Sequence, residues 1–266
     1  MRIALSCQAV PETPPEDAYR DHVGLHQQRQ PGLAYAGFAI LRGRLDPATM
    51  RAAADLAERF GSGALRTTHM QNLVVLDVPR ERTAALGVEA EAAGLALSAS
   101  PFRRGTVACT GTEFCKIALT ETKGFARRLV EDLESRLPGF DRHVKIHVTG
   151  CPNSCGQHWI ADIGLEGKKV KGPAGLEDAY YVCVGGGLGQ HAAVARPVGF
   201  RVPARETPAA LERLLRAYLD LRAPGQSFKD FAAARSDDDL RALLAGGAIA
   251  AIARDLPVAA TPHHLG

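Results

Sequence analysis

TGCPNSCGQHWIADIGL (residues 149–165) and TVACTGTEFCKIALTETK (residues 106–123) hold four of the six cysteines in the chain, and their reading decides the rest. The spacing is Cys109-x5-Cys115, thirty-five intervening residues, then Cys151-x3-Cys155. Two pairs of thiols on two separate junctions can converge on one centre, as cysteine sets do around iron-sulfur clusters, where backbone N–H groups tune the sulfurs. Pro152 suits a first helical position, so Cys151 and Cys155 are expected to flank one turn, with Gly150 and Gly156 allowing close backbone approach. Helix-start N–H groups would then favour thiolates. Three other readings compete: a structural zinc site, which usually has tighter cysteine pairs; a disulfide set; and four unrelated buried cysteines.

Working outward, HVKIHVTG (143–150) alternates apolar and polar residues as a half-buried strand that delivers Cys151 at its end. ALTETKGFARRLVEDLESRL (118–137) places Phe125, Leu129, Leu133 and Leu137 on one helix face, and Pro138-Gly139 ends it. Residues 101–109 read as an extended lead into the first cysteine. Upstream, LAYAGFAIL (33–41) suits a buried strand, Asp46-Pro47 opens a helix to Phe60, residues 64–79 read as a strand, and Arg80 to Gly94 reads as a second helix. Downstream, IADIGLEG and DAYYVCVGGG read as strands, the stretch around Arg196-Pro197 as turns, Thr207-Pro208 as a helix start, and DDDLRALLAGGAIAAIARDL as a helical tail.

Composition narrows the class. The 266 residues are 46% hydrophobic, enough for a well-buried core. Lysine plus arginine total 32 against 29 acidic residues, a net charge of +3 that makes no case for nucleic acid. The start, MRIALSCQAVPETPPEDAY, lacks a basic segment followed by a sustained apolar run, and no later stretch reaches the length of a membrane span; a cytoplasmic protein is expected. In that compartment clustered cysteines read first as metal or redox ligands.

The two opening stretches together resemble the siroheme- and 4Fe-4S-containing nitrite/sulfite reductase family. TGCPNSCGQHWIADIGL is similar to its Thr-Gly-Cys-x3-Cys signature with a following acidic residue, here Asp162, and TVACTGTEFCKIALTETK is similar to the segment carrying the first two ligands. GFAILRGRL and LRTTHMQNLVVLDVP look like the ferredoxin-like half-domain that precedes the cluster domain. The resemblance implies an α+β fold: a leader or linker at 1–31, a half-domain at 32–100, a 4Fe-4S/siroheme domain at 101–222 and a helical tail at 223–266. It implies Cys109, Cys115, Cys151 and Cys155 as cluster ligands, with Cys155 shared with the siroheme and therefore catalytic. It also puts Arg66, Thr67, Gln71 and Asn72 near the siroheme, where an arginine could pair with its carboxylates. Electrons from ferredoxin or a comparable donor would reduce nitrite or sulfite by six electrons; Gly-Thr-Glu-Phe and Pro-Asn-Ser-Cys-Gly-Gln look more like the nitrite-reducing branch. An electron-transfer subunit that holds the cluster alone is the reading from another class.

The chain departs from the family plan by matching only its C-terminal half. A fragment of a longer product, assembly with a separate N-terminal half, and a dimerising single-repeat enzyme follow in that order, and an exposed apolar surface is expected where a first half would pack. Other signals are discounted. VGGGLGQH (184–191) is a structural turn rather than a dinucleotide loop, because no clear helix begins at its last glycine. Cys183 reads as a core residue, and Cys7 has no partner in view. His147 and His158 read as strand or surface positions rather than proton relays, and Lys168, Lys169 and Lys171 as a solvated turn rather than a contact for an acidic ferredoxin.

Overall fold

The computed structural model describes residues 21–173, 175–189 and 192–247, so Cys7 and the end of the expected helical tail lie outside the described residues. The first sheet holds β1 (Gly24–Gln27), β2 (Leu33–Phe38), β3 (Leu65–Thr67) and β4 (Leu73–Pro79), antiparallel in the order β1-β2-β4-β3. α1 (Pro47–Phe60) and α2 (Thr83–Ala92) join it in one core with Phe38, Leu56, Phe60, Val75 and Leu86. α1 has the expected bounds because Asp46 Oδ1 accepts from the N–H groups of Ala48 and Thr49, Pro47 fits the first turn, and Gly61 follows the end.

Three expectations change here. The stretch read as a leader to residue 31 contains β1, which pairs with β2 from Gly24↔Gly37 to Gln27↔Ala34. Its prolines flank the strand and do not interrupt it. Residues 64–79 form two strands, because Gln71 turns left-handed at φ 58° and folds the chain back. Before the first cysteine, Ser100 caps a short helix, α3 (Pro101–Gly105), by accepting from Arg103 N–H at 3.0 Å, and only then does β5 (Thr106–Ala108) begin.

The second sheet runs β5-β6-β7-β8-β9, with β6 (Ile146–Thr149), β7 (Ile163–Gly172), β8 (Gly175–Val184) and β9 (Arg196–Pro203). β5, β6 and β7 are parallel, and β7, β8 and β9 antiparallel. The residues around Arg196-Pro197, read as turns, form this last strand: an edge tolerates Pro197, and the register shifts between Val182 and Cys183 as the pairing passes left-handed Gly199. α4 (Lys123–Arg136), α5 (Thr207–Leu221), α6 (Phe228–Ala233) and α7 (Asp237–Ala245) contribute to the sheet's core. Phe125, Leu129 and Leu133 form the buried stripe of α4, as its spacing predicts. Leu240, Leu243 and Leu244 of α7 belong to the same core, so the tail as far as it is described is part of this domain rather than an appendage after residue 222.

β6 is buried on both faces instead of one, the usual state of a strand inside a parallel sheet. Ile146 and Val148 enter the core, while His147 lies outside it and hydrogen-bonds through Nδ1 to Gln157 O at 3.1 Å. Burial pushes the His147 imidazole down to about 4. Its folded pKa lies below the unfolded one, so its contribution to stability is complete above about pH 6.5 and lost as pH falls toward 4, up to about 3 kcal/mol. Urea titrations across this range should show that acid loss, and His147→Gln should flatten it. Leu133→Ala, at a side chain with 0% exposure, should lower the urea-derived stability by about 3 kcal/mol at neutral pH.

Candidate metal centre

Parallel pairing of β5 with β6, Ala108 opposite Val148, brings the carboxyl ends of both strands to one edge of the sheet, the usual place for a site in such sheets. Cys109 follows β5 directly, and Cys151 lies just beyond β6. Cys109 N–H donates to Val148 O at 3.0 Å, Thr122 Oγ1 donates to Cys109 O at 2.6 Å, and Gly150 N–H donates to Cys109 Sγ at 3.2 Å. An amide aimed at a sulfur stabilises its thiolate. The Cys115 loop is tied to the same glycine, since Leu119 and Thr120 N–H donate to Gly150 O at 2.7 and 3.3 Å. A Cβ at Gly156 would stand 2.3 Å from Val148 O, so that close approach needs glycine, and one at Gly150 would stand 3.1 Å from both Ala118 Cβ and Thr120 O, a tight fit that glycine relieves.

Residues 151–157 are successive turns, not the helix start expected at Pro152. Ser154 and Gln157 are left-handed, at φ 56° and 57°, which breaks any helical run. The amide donating to sulfur therefore comes from the strand end, at Gly150, rather than from a helix dipole. Ser154 Oγ hydrogen-bonds His158 Nδ1 at 2.8 Å, His158 Nε2 lies 3.3 Å from Glu166 Oε2, and Glu166 pairs with Lys168. His158 is thus a buried brace beneath the loop. Asp162 sits at the opposite end of the strands, where its Oδ2 accepts from Lys145 N–H at 2.8 Å, and burial raises its pKa.

All four cysteines are free thiols, with Cys151 buried, Cys109 and Cys115 half-buried and Cys155 exposed. Among the described residues no three His, Cys, Asp or Glu side chains gather tightly enough to hold a single ion. The four thiols lie on two loops, the Cys115 loop tied through Gly150, and four cysteine thiolates are a donor set that iron-sulfur clusters take.

The residues expected near a siroheme divide into two pairs. Arg66 and Thr67 line a cleft of ≈390 Å³ with His22, Tyr35, His69 and Leu76. Gln71 and Asn72 are instead engaged inside the protein: Asn72 is buried and accepts from Ile40 N–H at 2.9 Å, and the Gln71 amide pairs with the backbone of Ala108. Lys123, which no spacing rule singles out, is buried with its Nζ donating to Arg42 O at 2.5 Å and Gln71 Oε1 at 3.2 Å. Burial, seconded by Arg44, pushes its pKa down to about 8. Phe114 and Ile117, 72% and 63% exposed, stand in solvent on either side of Cys115, and the Arg44 guanidinium lies over Phe114 while pairing with Glu113 at 2.7 Å.

The discounted signals fall into structural places. Gly185 and Gly186 N–H donate to Asp162 O and Ala161 O, both at 2.9 Å, closing a turn that leads to β9. Cys183 is fully buried, and burial pushes its thiol up to about 12, so it is inert at neutral pH. Lys168 and Lys169 are paired with Glu166 and Asp178 on the β7–β8 hairpin.

Residues 26–93 match the nitrite/sulfite reductase ferredoxin-like half domain, and residues 99–230 match the nitrite and sulphite reductase 4Fe-4S domain. The chain is 40% identical over 220 residues to an assimilatory ferredoxin-dependent nitrite reductase of Haloferax mediterranei, covering 82% of this chain and 37% of that protein. It is 37% identical over 227 residues to a ferredoxin sulfite reductase of Mycolicibacterium paratuberculosis, covering 83% of this chain and 41% of the relative. The solved structure of the Mycobacterium tuberculosis NirA protein superposes with a TM-score of 0.77 at 36% identity, covering 83% of this chain and 41% of that one. The chain thus spans about two fifths of the length of these relatives. With a ferredoxin-like half-domain followed by a domain that sets its thiols at the ends of parallel strands, the chain belongs to the nitrite and sulfite reductase family.

Proposed function

We propose that this chain is the cofactor-bearing C-terminal portion of a ferredoxin-dependent nitrite reductase working in the cytoplasm. Cys109, Cys115, Cys151 and Cys155 hold a 4Fe-4S cluster, and Cys155 also meets a siroheme. The gradient of exposure carries this reading: Cys155 is the most exposed of the four cysteines, which leaves it best placed to face a second group outside the loops. When bound, siroheme and cluster supply the six-electron chemistry that converts nitrite to ammonia. The protein's part is to hold and orient. Gly150 fixes both loops and aims its N–H at Cys109, while Arg66 and Thr67 offer a cation and a hydroxyl to the siroheme carboxylates. Ferredoxin or a similar protein supplies electrons, and a separate or preceding N-terminal half, packing on the apolar side chains around Cys115, contributes the cations that bind the anion.

Nitrite is favoured by Gly-Thr-Glu-Phe at 111–114 and Pro-Asn-Ser-Cys-Gly-Gln at 152–157, together with the similarity to nitrite reductases. Sulfite is the second reading, supported by the similarity to ferredoxin sulfite reductases. No helix among the described residues is long and apolar enough to cross a membrane.

Anaerobic purification from a siroheme-producing host should yield about four irons and four sulfides per chain, with a siroheme absorption band. Cys155→Ala should abolish that band, whereas Cys183→Ala should leave the iron content unchanged. Zinc in place of iron, or no metal at all, would overturn the reading. Iron without siroheme would restrict the chain to holding the cluster unless its N-terminal half is supplied, and faster turnover of sulfite than of nitrite would favour the second reading.

A further inference from the structure

β5 is the outer strand of the second sheet, so one side of its backbone faces away from β6. Ala108, the residue before Cys109, presents its N–H and C=O on that side, and a side chain from the other domain occupies them both. Gln71 Oε1 accepts from Ala108 N–H at 3.2 Å, and Gln71 Nε2 donates to Ala108 O at 2.9 Å. The glutamine amide thus stands in for one residue of a missing neighbour strand. It is itself held: Gln71 is left-handed at φ 58°, its N–H donates to Thr68 O at 3.1 Å, and a Cβ at Gly43 would stand 2.6 Å from Gln71 Cβ.

Lys123 closes the arrangement by donating from one ammonium to Gln71 Oε1 and Arg42 O, and Arg42 is left-handed at φ 54°. Two non-glycine residues in this sparsely populated conformation meet at one buried lysine, a concentration of strain of the kind found at functional sites. The charge around Lys123 is also uneven. Arg42 and Arg44 repel it, Cys109 and Glu113 attract it, and its two hydrogen-bond acceptors are neutral. A thiolate-bound cluster at Cys109 would supply the missing negative charge.

We propose that Gln71 and Lys123 are positioning residues for the cluster, forming a latch through which the half-domain fixes the geometry of the Cys109 arm and places a buried cation beside it. The charge effect rests on the reading of Cys109 as a cluster ligand, whereas the geometric effect does not. A cation beside the cluster favours its reduced form, so the latch sets the reduction potential as well as the fit.

The test uses the full chain. In the iron-loaded protein, Lys123→Met should move the cluster's midpoint potential, followed by electron paramagnetic resonance during a redox titration, to lower values, and Lys123→Arg should bring it back. Should Lys123→Met fail to fold, Lys123→Gln removes the same charge and gives the same reading. In metal-free protein, Gln71→Leu should speed hydrogen exchange at the Ala108 amide about tenfold, the loss of one buried hydrogen bond, with no change in the middle of α4. An unchanged potential in the lysine variants overturns the charge role, and unchanged exchange in Gln71→Leu overturns the latch. A wild-type chain that takes up no iron fails the cluster reading and the charge role with it, while the exchange experiment still decides the latch.

Discussion

The parallel pairing of β5 with β6 is the constraint on which the site depends. Parallel neighbours must end on the same side, so two cysteine-bearing segments more than thirty residues apart emerge together. Gly150 then makes the two loops one unit, its N–H on Cys109 Sγ and its C=O accepting from the Cys115 loop. A Cβ there would stand 3.1 Å from both Ala118 Cβ and Thr120 O, tighter than ordinary packing, so the glycine immediately before Cys151 eases the approach of the two loops.

The two domains keep separate apolar cores, and besides Leu41, which packs against the second core, directional polar contacts join them. Besides the Gln71 and Lys123 contacts, Arg104 pairs with buried Asp21, and Arg44 with Glu113. Each of these contacts is directional and specifies one arrangement of the half-domain against the cluster domain, which apolar burial alone does not.

Much of the architecture is legible in the sequence. α1 follows from its periodicity and its Asp46 cap, α4 and α5 from their periodicity, and the candidate ligand cysteines from their spacing and from the resemblance that their neighbours carry. The errors have physical causes. β1 was hidden because prolines nearby read as a linker although they only flank the strand, β9 because Pro197 and Gly199 look like turn residues but are tolerated on an edge, and α3 because a five-residue helix depends on its Ser100 cap more than on any period. The half-burial expected of β6 failed because alternation cannot tell a sheet with one solvent face from one whose second face, here carrying His147, is covered by the turn at residues 157–160.

The sequence by itself determined where the candidate ligands lie: four thiols in two pairs, with glycines beside them and helices of readable period around them. Only the tertiary structure decided how those residues are used. Gln71 and Asn72 sit in the same motif as Arg66 and Thr67, yet the left-handed turn at Gln71 sends its side chain to the backbone of Ala108 while Arg66 and Thr67 remain at an open cleft. Lys123 acquires its place because burial, two neighbouring arginines and a strained turn converge on it from segments up to about eighty residues away. Local pattern encodes periodicity and caps, but long-range electrostatics and edge-strand pairing exist only once the chain has brought those segments together.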